Sequence, residues 1–273
     1  MGVLQDKIAI ITGSTKGIGK SIAKKFIEQG AKVVITSSNE TNVQKAVKEF
    51  PADKILGVAC DVTNYEEVEQ LIEKTVAHFG KLDVMINNAG VAEPFKRIVD
   101  ASLDAWYKPI DINVKGTYHG SRAALIYFLK QGKGKLINMA GAGTEQNNTP
   151  YFSAYGSSKA AIYRMTFALA EEYKNTGIEI MLLNPGLVRT EILSVHNPTP
   201  ELQKRMDTFL KVQDIFAQPP TVAADMAVKM ASSWSDSKTG LFLNALSKSR
   251  SRMLLFSYPF RKMFKKIDQT VYG

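Results

Sequence analysis

Short apolar runs alternate along most of this chain with stretches whose apolar positions recur every three to four residues. The runs Lys7–Ile11, Lys32–Thr36, Ile55–Cys60, Val84–Asn87, Lys135–Met139, Glu179–Asn184 and Leu241–Asn244 read as strands. They are brief and apolar, several of them rich in β-branched residues, as expected of strands buried on both faces. Helical patterns lie between them. Ile18, Ile22, Ala23, Phe26 and Ile27 mark one face of a helix that Gly30 ends. Tyr65, Val68, Leu71, Ile72, Val76 and Phe79 mark another, with Thr63 and Glu66 as an expected capping box and Gly80 as its stop. This alternation predicts an α/β fold, a doubly wound, seven-stranded parallel sheet with helices on both faces. Such sheets bind ligands at the carboxyl ends of their strands. Gly13, Asp61, Asn88, Met139 and Pro185 all fall on that edge. With no internal repeat, linker or low-complexity stretch, residues 1–245 are expected to form one domain, with 246–273 as its C-terminal extension.

Composition narrows the setting. A chain of 273 residues with 45% hydrophobic and 22% charged residues can bury a sizeable core. No apolar run approaches the roughly 18 residues that would span a membrane. The first strand begins almost at once, so no signal peptide is expected. Cys60 is the single cysteine, which excludes an internal disulfide and makes a cytoplasmic, reducing interior the expected setting. The sequons at Asn39 and Asn147 then read as accidental. His78, His119 and His196 are scattered without ligand spacing, so no metal site is expected.

The turn after the first strand carries the first chemistry. Thr12-Gly13-Ser14-Thr15-Lys16-Gly17-Ile18-Gly19 stands between a strand and a helix, the order a dinucleotide site requires. Gly13 permits the tight turn, Gly17 admits a pyrophosphate to the backbone, and Gly19 lets the helix pack close. The helix N-terminus offers free N–H groups and a positive dipole end to the phosphates. Further on, Tyr155 and Lys159 lie one helical turn apart, on one face. An ammonium beside a phenol favours the phenolate, so Lys159 is expected to lower the Tyr155 pKa and make a proton donor or acceptor that works near neutral pH.

These motifs resemble, in order and separation, those of the short-chain dehydrogenase/reductase family: the glycine turn, Asn87-Asn88-Ala89-Gly90, Asn113 within Asp111-Ile112-Asn113-Val114, Tyr155 with Lys159, and Pro185-Gly186. The resemblance runs from about residue 5 to about residue 245. It implies a Rossmann-type fold, a nicotinamide cofactor, and interconversion of a carbonyl and a secondary alcohol. In that reading Tyr155 is the acid or base, Lys159 lowers its pKa and holds the cofactor ribose, and Asn113 anchors a water in a proton relay. Asp61 and Val62 resemble the adenine contacts. Asn88 and Ala89 resemble contacts near the adenosine ribose, with Asn87 structural, and Val188 and Thr190 resemble contacts to the carboxamide. Where members that prefer NAD carry a carboxylate after the second strand, this chain has Thr36-Ser37-Ser38-Asn39. With Lys16 ahead of the second glycine, Ser37, Ser38 and Asn39 point to NADP(H), with NAD(H) as the alternative. A homodimer or homotetramer is implied, through helices near Asn113–Leu129 and Tyr155–Tyr173.

One expected group is missing. The family places a serine after the fifth strand to hydrogen-bond the substrate oxygen. Here that position is Gly141 or Ala142 in Ala140-Gly141-Ala142-Gly143-Thr144, and neither has a hydroxyl. Losing one such donor costs on the order of a hundredfold in rate. Thr144, Asn147 or Ser153 could swing in, or a substrate hydroxyl or a water could fill the gap. Alternatively the chain binds cofactor with little turnover. The stretch 140–149 is expected to leave unusual space beside the reacting centre. Residues 191–221 include Ile192, Leu193, Val195, Met206, Phe209, Leu210, Ile215 and Phe216, which suits a lid over a greasy substrate or an ordinary pair of packed helices.

The last 28 residues hold seven basic residues against Asp268, and so carry +6 of the net +9. With the remainder near neutral, a nucleic-acid role has little support. Aromatics interleave with these charges, as in a membrane-surface element or an anionic-partner patch. The reading favoured over peripheral membrane contact is an extension that packs on a neighbouring subunit with its charges in water.

Overall fold

The computed structural model describes residues 2–92, 95–144, 148–189, 200–264 and 267. Seven strands form one parallel sheet in the order β3-β2-β1-β4-β5-β6-β7. They are β1 (Ile8–Ile11), β2 (Lys32–Ser37), β3 (Ile55–Ala59), β4 (Val84–Asn87), β5 (Gly134–Met139), β6 (Ile178–Asn184) and β7 (Phe242–Asn244). Each lies within one residue of the span its apolar run predicts.

Side chains alternate between the two faces, as the strand period of two requires. Ala9, Ile11, Val33, Ile35, Ile86, Ile137, Met181 and Leu183 point to one core. There the helices α1 (Gly17–Glu28) and α8 (Pro220–Ala231) cover the sheet with Ile22, Phe26, Ala224 and Ala227. Ile10, Val34, Met85, Leu136 and Ile180 point to the other. That side is covered by α3 (Tyr65–Phe79), α5 (Gly116–Gln131) and Ala170 of α6 (Ser153–Glu172).

The cap of α3 departs from expectation. Asn64, not Thr63, is the N-cap, and its side-chain oxygen accepts from the Glu66 and Glu67 N–H groups at 3.1 and 3.4 Å. Thr63 is held by Asp61, whose carboxylate accepts its N–H and its hydroxyl, each at 2.9 Å. Glu67 accepts the Asp61 N–H at 2.8 Å. The cap is therefore shifted by one residue and the box does not close, since the Asn64 N–H goes to Asp61 O, and a carboxylate two residues away outcompetes the helix for the threonine.

Two features bring the site together. Strand order reverses between β1 and β4, which opens the crevice where such sheets bind ligands. A buried polar web ties the neighbouring helices to that edge. Asn87 donates to Asn138 at 2.8 Å and to Ser121 at 3.1 Å, and Asn138 donates to Thr166 at 3.0 Å. Asn87 thus has the structural role expected of it, joining β4, β5, α5 and α6.

Candidate active site

The glycine turn closes on the loop after β4. Gly13 has φ +61°, and a Cβ there would stand 2.9 Å from the Ala89 Cα, so both its dihedral and its neighbour require glycine. Thr12 Oγ1 accepts the N–H groups of Asn88 and Ala89 at 3.0 and 2.9 Å. The Asn88 amide donates to the carbonyls of Thr12 and Gly13 at 2.8 and 3.0 Å. Ser14 is fully buried. Its hydroxyl donates to Ile11 O at 2.6 Å and accepts the Thr36 N–H at 3.1 Å, which ties β1 to β2. Ser14 and Asn88 therefore shape the crevice through contacts within the protein. Thr15, Lys16, Gly17 and Ile18 continue the turn, with Lys16 exposed and Thr15, Gly17 and Ile18 half-buried.

The first turn of α1 suits an anion. Lys16 is its N-cap and makes no side-chain cap bond, and no acidic residue lies in that turn. By contrast α2 (Glu40–Val47) is capped by Asn39, and α4 (Leu103–Pro109) by Ser102. Uncapped N–H groups at a helix N-terminus are donors available to a phosphate. Beside them, at the end of β2, Ser37 is half-buried and Ser38 exposed, and Ser37 Oγ accepts the Asn39 N–H at 3.3 Å. The residues present thus fit a dinucleotide. Asp61 and Val62 lie in the loop just after the neighbouring strand β3, and His119 Nδ1 lies 2.9 Å from Val62 O.

Asn113 sits in a π-helical turn, Ile110–Lys115, between α4 and α5. Such turns concentrate at functional sites. Its side chain is fully buried and engaged on every side. The oxygen accepts the Val91 N–H at 2.8 Å, and the amide donates to Val91 O and to Ser158 Oγ, each at 2.9 Å. Ser158 in turn donates to Tyr155 O at 2.7 Å. Ser158 thus links the Asn113 turn to the reactive helix, a role no spacing in the sequence signalled.

Tyr155 and Lys159 share the inner face of α6, as their separation requires. Lys159 is 6% exposed and donates to Met139 O at 3.0 Å, with its Nζ 5.6 Å from the Tyr155 ring centre. Their ionisation differs from expectation. Burial pushes the Tyr155 phenol up to about 12 and the Lys159 ammonium down to about 8. The expected depression of the tyrosine is absent because loss of solvent outweighs the attraction of a lysine whose own charge burial disfavours.

The absent serine has a structural counterpart. A Cβ on Gly141 would stand 2.3 Å from Tyr155 Oη and 3.3 Å from Lys159 Cγ. The phenol thus occupies the room a side chain would take at Gly141, and the open space at this loop lies further along, in a cavity lined by Gly143, Asn148, Thr149, Ser153 and Gly156. Thr144 does not swing in. Its hydroxyl donates to Gly141 O at 2.6 Å and accepts the Gly141 N–H at 3.0 Å, locking the loop. Ser153 accepts the Trp106 indole N–H at 3.1 Å and lies two positions from Tyr155, on a different side of the helix. Asn147 and Thr190 lie outside the described residues, as do Ile192, Leu193 and Val195.

Aromatic rings wall the approach to the phenol. Phe152 meets the Tyr155 ring edge-on at 5.4 Å, and Phe95 meets Phe152 at 4.9 Å. Neither was legible as a site residue, since isolated phenylalanines in a loop carry no periodic signal. On the opposite side Pro185 and Val188 are buried, and a Cβ on Gly186 would lie 3.0 Å from Leu246 Cγ. The helix α7 (Pro200–Phe216) reaches the aromatic wall, where Glu201 accepts the hydroxyl of Tyr151, whose ring meets Phe95 at 5.8 Å. Among the described residues no cluster of His, Cys, Asp and Glu could hold a metal.

A profile described as short chain dehydrogenase matches residues 7–201, and the chain belongs to that family. An uncharacterized oxidoreductase of Staphylococcus aureus strain USA300 is 40% identical over 200 residues, covering 73% of this chain and 85% of that protein. Another, of Staphylococcus epidermidis, is 36% identical over 191 residues, covering 70% and 81%. Among solved structures, a 3-ketoacyl-(acyl-carrier-protein) reductase from Brucella melitensis, complexed with NADH, superposes with a TM-score of 0.78 at 28% identity. That comparison covers 91% of this chain and 99% of the other. A short chain dehydrogenase from Mycobacterium smegmatis gives 0.75 at 26% identity, covering 91% and 95%. The chain is thus an oxidoreductase with a Rossmann-type, nicotinamide-binding fold.

Proposed function

We propose that this oxidoreductase prefers NADP(H) and interconverts a carbonyl and a secondary alcohol, with Tyr155 as the acid or base. The observation that carries the reading is the convergence of Tyr155, Lys159 and the Asn113 turn at one strand edge, with the phenol against Gly141. The cofactor supplies or accepts hydride, and the chain's part is to align the reactants and move one proton. Lys159 would hold the ribose, and Asn113, its amide engaged with Val91 and Ser158, would anchor the water of a proton relay. The preference for NADP(H) rests on Lys16, Ser37 and Ser38 and on the lack of a carboxylate from Thr36 to Asn39. Ser37, Ser38, Asp61, Val62, Ala89, Pro185, Gly186, Val188 and Thr190 would line the cofactor. Phe95 and Phe152 favour a hydrophobic substrate. Self-association through α5 is supported by its exposed Tyr118, Ile126 and Leu129.

The test is a fluorescence titration with NADPH and NADH, followed by turnover against ketones, aldehydes and quinones. Tight NADPH binding with turnover is expected, and Tyr155→Phe should lower kcat at least about a hundredfold while leaving cofactor affinity nearly unchanged. A second reading, a cofactor-binding protein with little turnover, is favoured by one observation, the lack of any hydroxyl at Gly141. Tight binding without turnover across the panel would establish it.

A further inference from the structure

The helix α9 (Lys248–Met263) lies beyond the residues matched to the family and contains no buried residue. Its inner side is half-buried and leans on α7, where Arg261 donates to Ile215 O at 2.6 Å. Its outer side is apolar. Met253, Phe256, Phe260, Met263 and Phe264 are 59%, 77%, 64%, 66% and 61% exposed. Steps of three and four from Met253 to Met263, with Phe264 four beyond Phe260, put them in one stripe about a quarter of the helix circumference wide. A stripe of that width ordinarily faces a core, and here it faces outward. Exposed Lys248, Arg252 and Lys262 flank it on one side, and no acidic residue occurs between Leu246 and Phe264. Pro259 falls on the exposed side.

We propose that the outer face of α9 docks on an anionic lipid surface, with the aromatic stripe entering the headgroup boundary and the basic flank meeting lipid phosphates. The charge pattern selects this occupant. A protein face that buried five large apolar side chains would not need a one-sided cationic flank, whereas an anionic bilayer rewards both at once. No helix among the described residues is long and apolar enough to cross a membrane, and an interfacial helix lies in the surface plane instead. The docking is independent of the proposed reaction, although α7, on which α9 leans, also reaches Tyr151 beside the phenol.

Co-sedimentation of the full chain with vesicles tests this. Phosphatidylcholine alone would be compared with phosphatidylcholine containing about 30 mole per cent phosphatidylglycerol, at low and high salt. Binding is expected to the anionic vesicles only, weakened by salt. The Phe256→Asp, Phe260→Asp double variant and the Lys248→Glu, Arg252→Glu double variant should each bind at least roughly tenfold more weakly. Both change exposed side chains, so melting temperature and NADPH affinity should hold, which separates lost docking from lost folding. Equal binding to both vesicles, or to neither, would overturn the proposal. So would a concentration-dependent dimer that the phenylalanine variant abolishes, since a second copy would then be the occupant.

Discussion

At Gly141 a single missing Cβ decides how the phenol sits. Restoring a serine there would supply the donor that the family's pattern calls for, but its Cβ would overlap Tyr155 Oη at 2.3 Å. Forcing the phenol aside costs about 1–3 kcal/mol, as other overpacked sites do. Gly141→Ser is therefore expected to lower kcat about tenfold or more with NADPH affinity unchanged. A faster enzyme would show that the phenol yields readily and that the added donor stabilises the transition state. Lys159 makes a second expectation, on stability. Its folded pKa of about 8 lies below its ordinary 10.5, so between those values the unfolded chain keeps a proton that the folded chain has released. Stability contributed by this group therefore rises with pH through that window. Cys60 works the other way. Burial pushes its thiol from 9.0 up to about 12, so its contribution falls above about pH 9, and that of Tyr155 falls above about pH 10. The clean interval is about pH 7.5 to 9, where urea unfolding should show a gain of about 1 kcal/mol that Lys159→Met removes. A flat profile in the unchanged protein would mean that Lys159 keeps its charge through contacts with water or cofactor.

Between α5 and α6 the site depends on one hydroxyl. Ser158 Oγ accepts from Asn113 and donates to Tyr155 O, so it sets the distance between the π-helical turn and the helix that carries the phenol. Ser158→Ala would leave the Asn113 amide short of one acceptor. A stability loss of about 1–3 kcal/mol is expected from an orphaned buried donor. Because the helix end would also relax, kcat should fall several-fold while the NADPH dissociation constant stays put. If KM for NADPH rose instead, the hydroxyl would belong to the cofactor site. At this scale the sequence was informative where a pattern repeats and silent where contacts are unique. Strand periods placed every strand to within a residue, because buried parallel strands leave no other use for short apolar runs. Thr63 misled because a cap is chosen by competition, and the competitor, Asp61, takes its partner from only two residues away. Ser158, Phe95 and Phe152 were invisible because each acts through a neighbour distant in sequence. The sign of the Tyr155 shift was missed because spacing reports proximity to Lys159 and says nothing of the solvent both groups lose.

Across the molecule, stability and docking are carried by different parts. The two cores lie between the sheet and its helices, and their fully buried large side chains run from Leu4 to Met230. By contrast α9 buries none of its residues, and its hold on the rest runs through half-buried contacts with α7, notably Arg261 to Ile215. A chain ending at Ser247 would keep Ala245, whose carbonyl accepts from Gln218, and Leu246, which supports Gly186. That truncation should therefore leave the melting temperature within a few degrees, since a loss below about 1 kcal/mol moves a domain of this size by about 2–4 °C. Substrate handling should change more than folding. Without α9, α7 loses one of the partners that hold it beside Tyr151, so KM for a hydrophobic substrate should rise while NADPH affinity, set by the β1, β2 and β4 edge, does not. Thermal unfolding and steady-state kinetics on the same preparation would separate the two effects. A large drop in melting temperature would show that the extension belongs to the cooperative core, despite the absence of buried side chains in its helix.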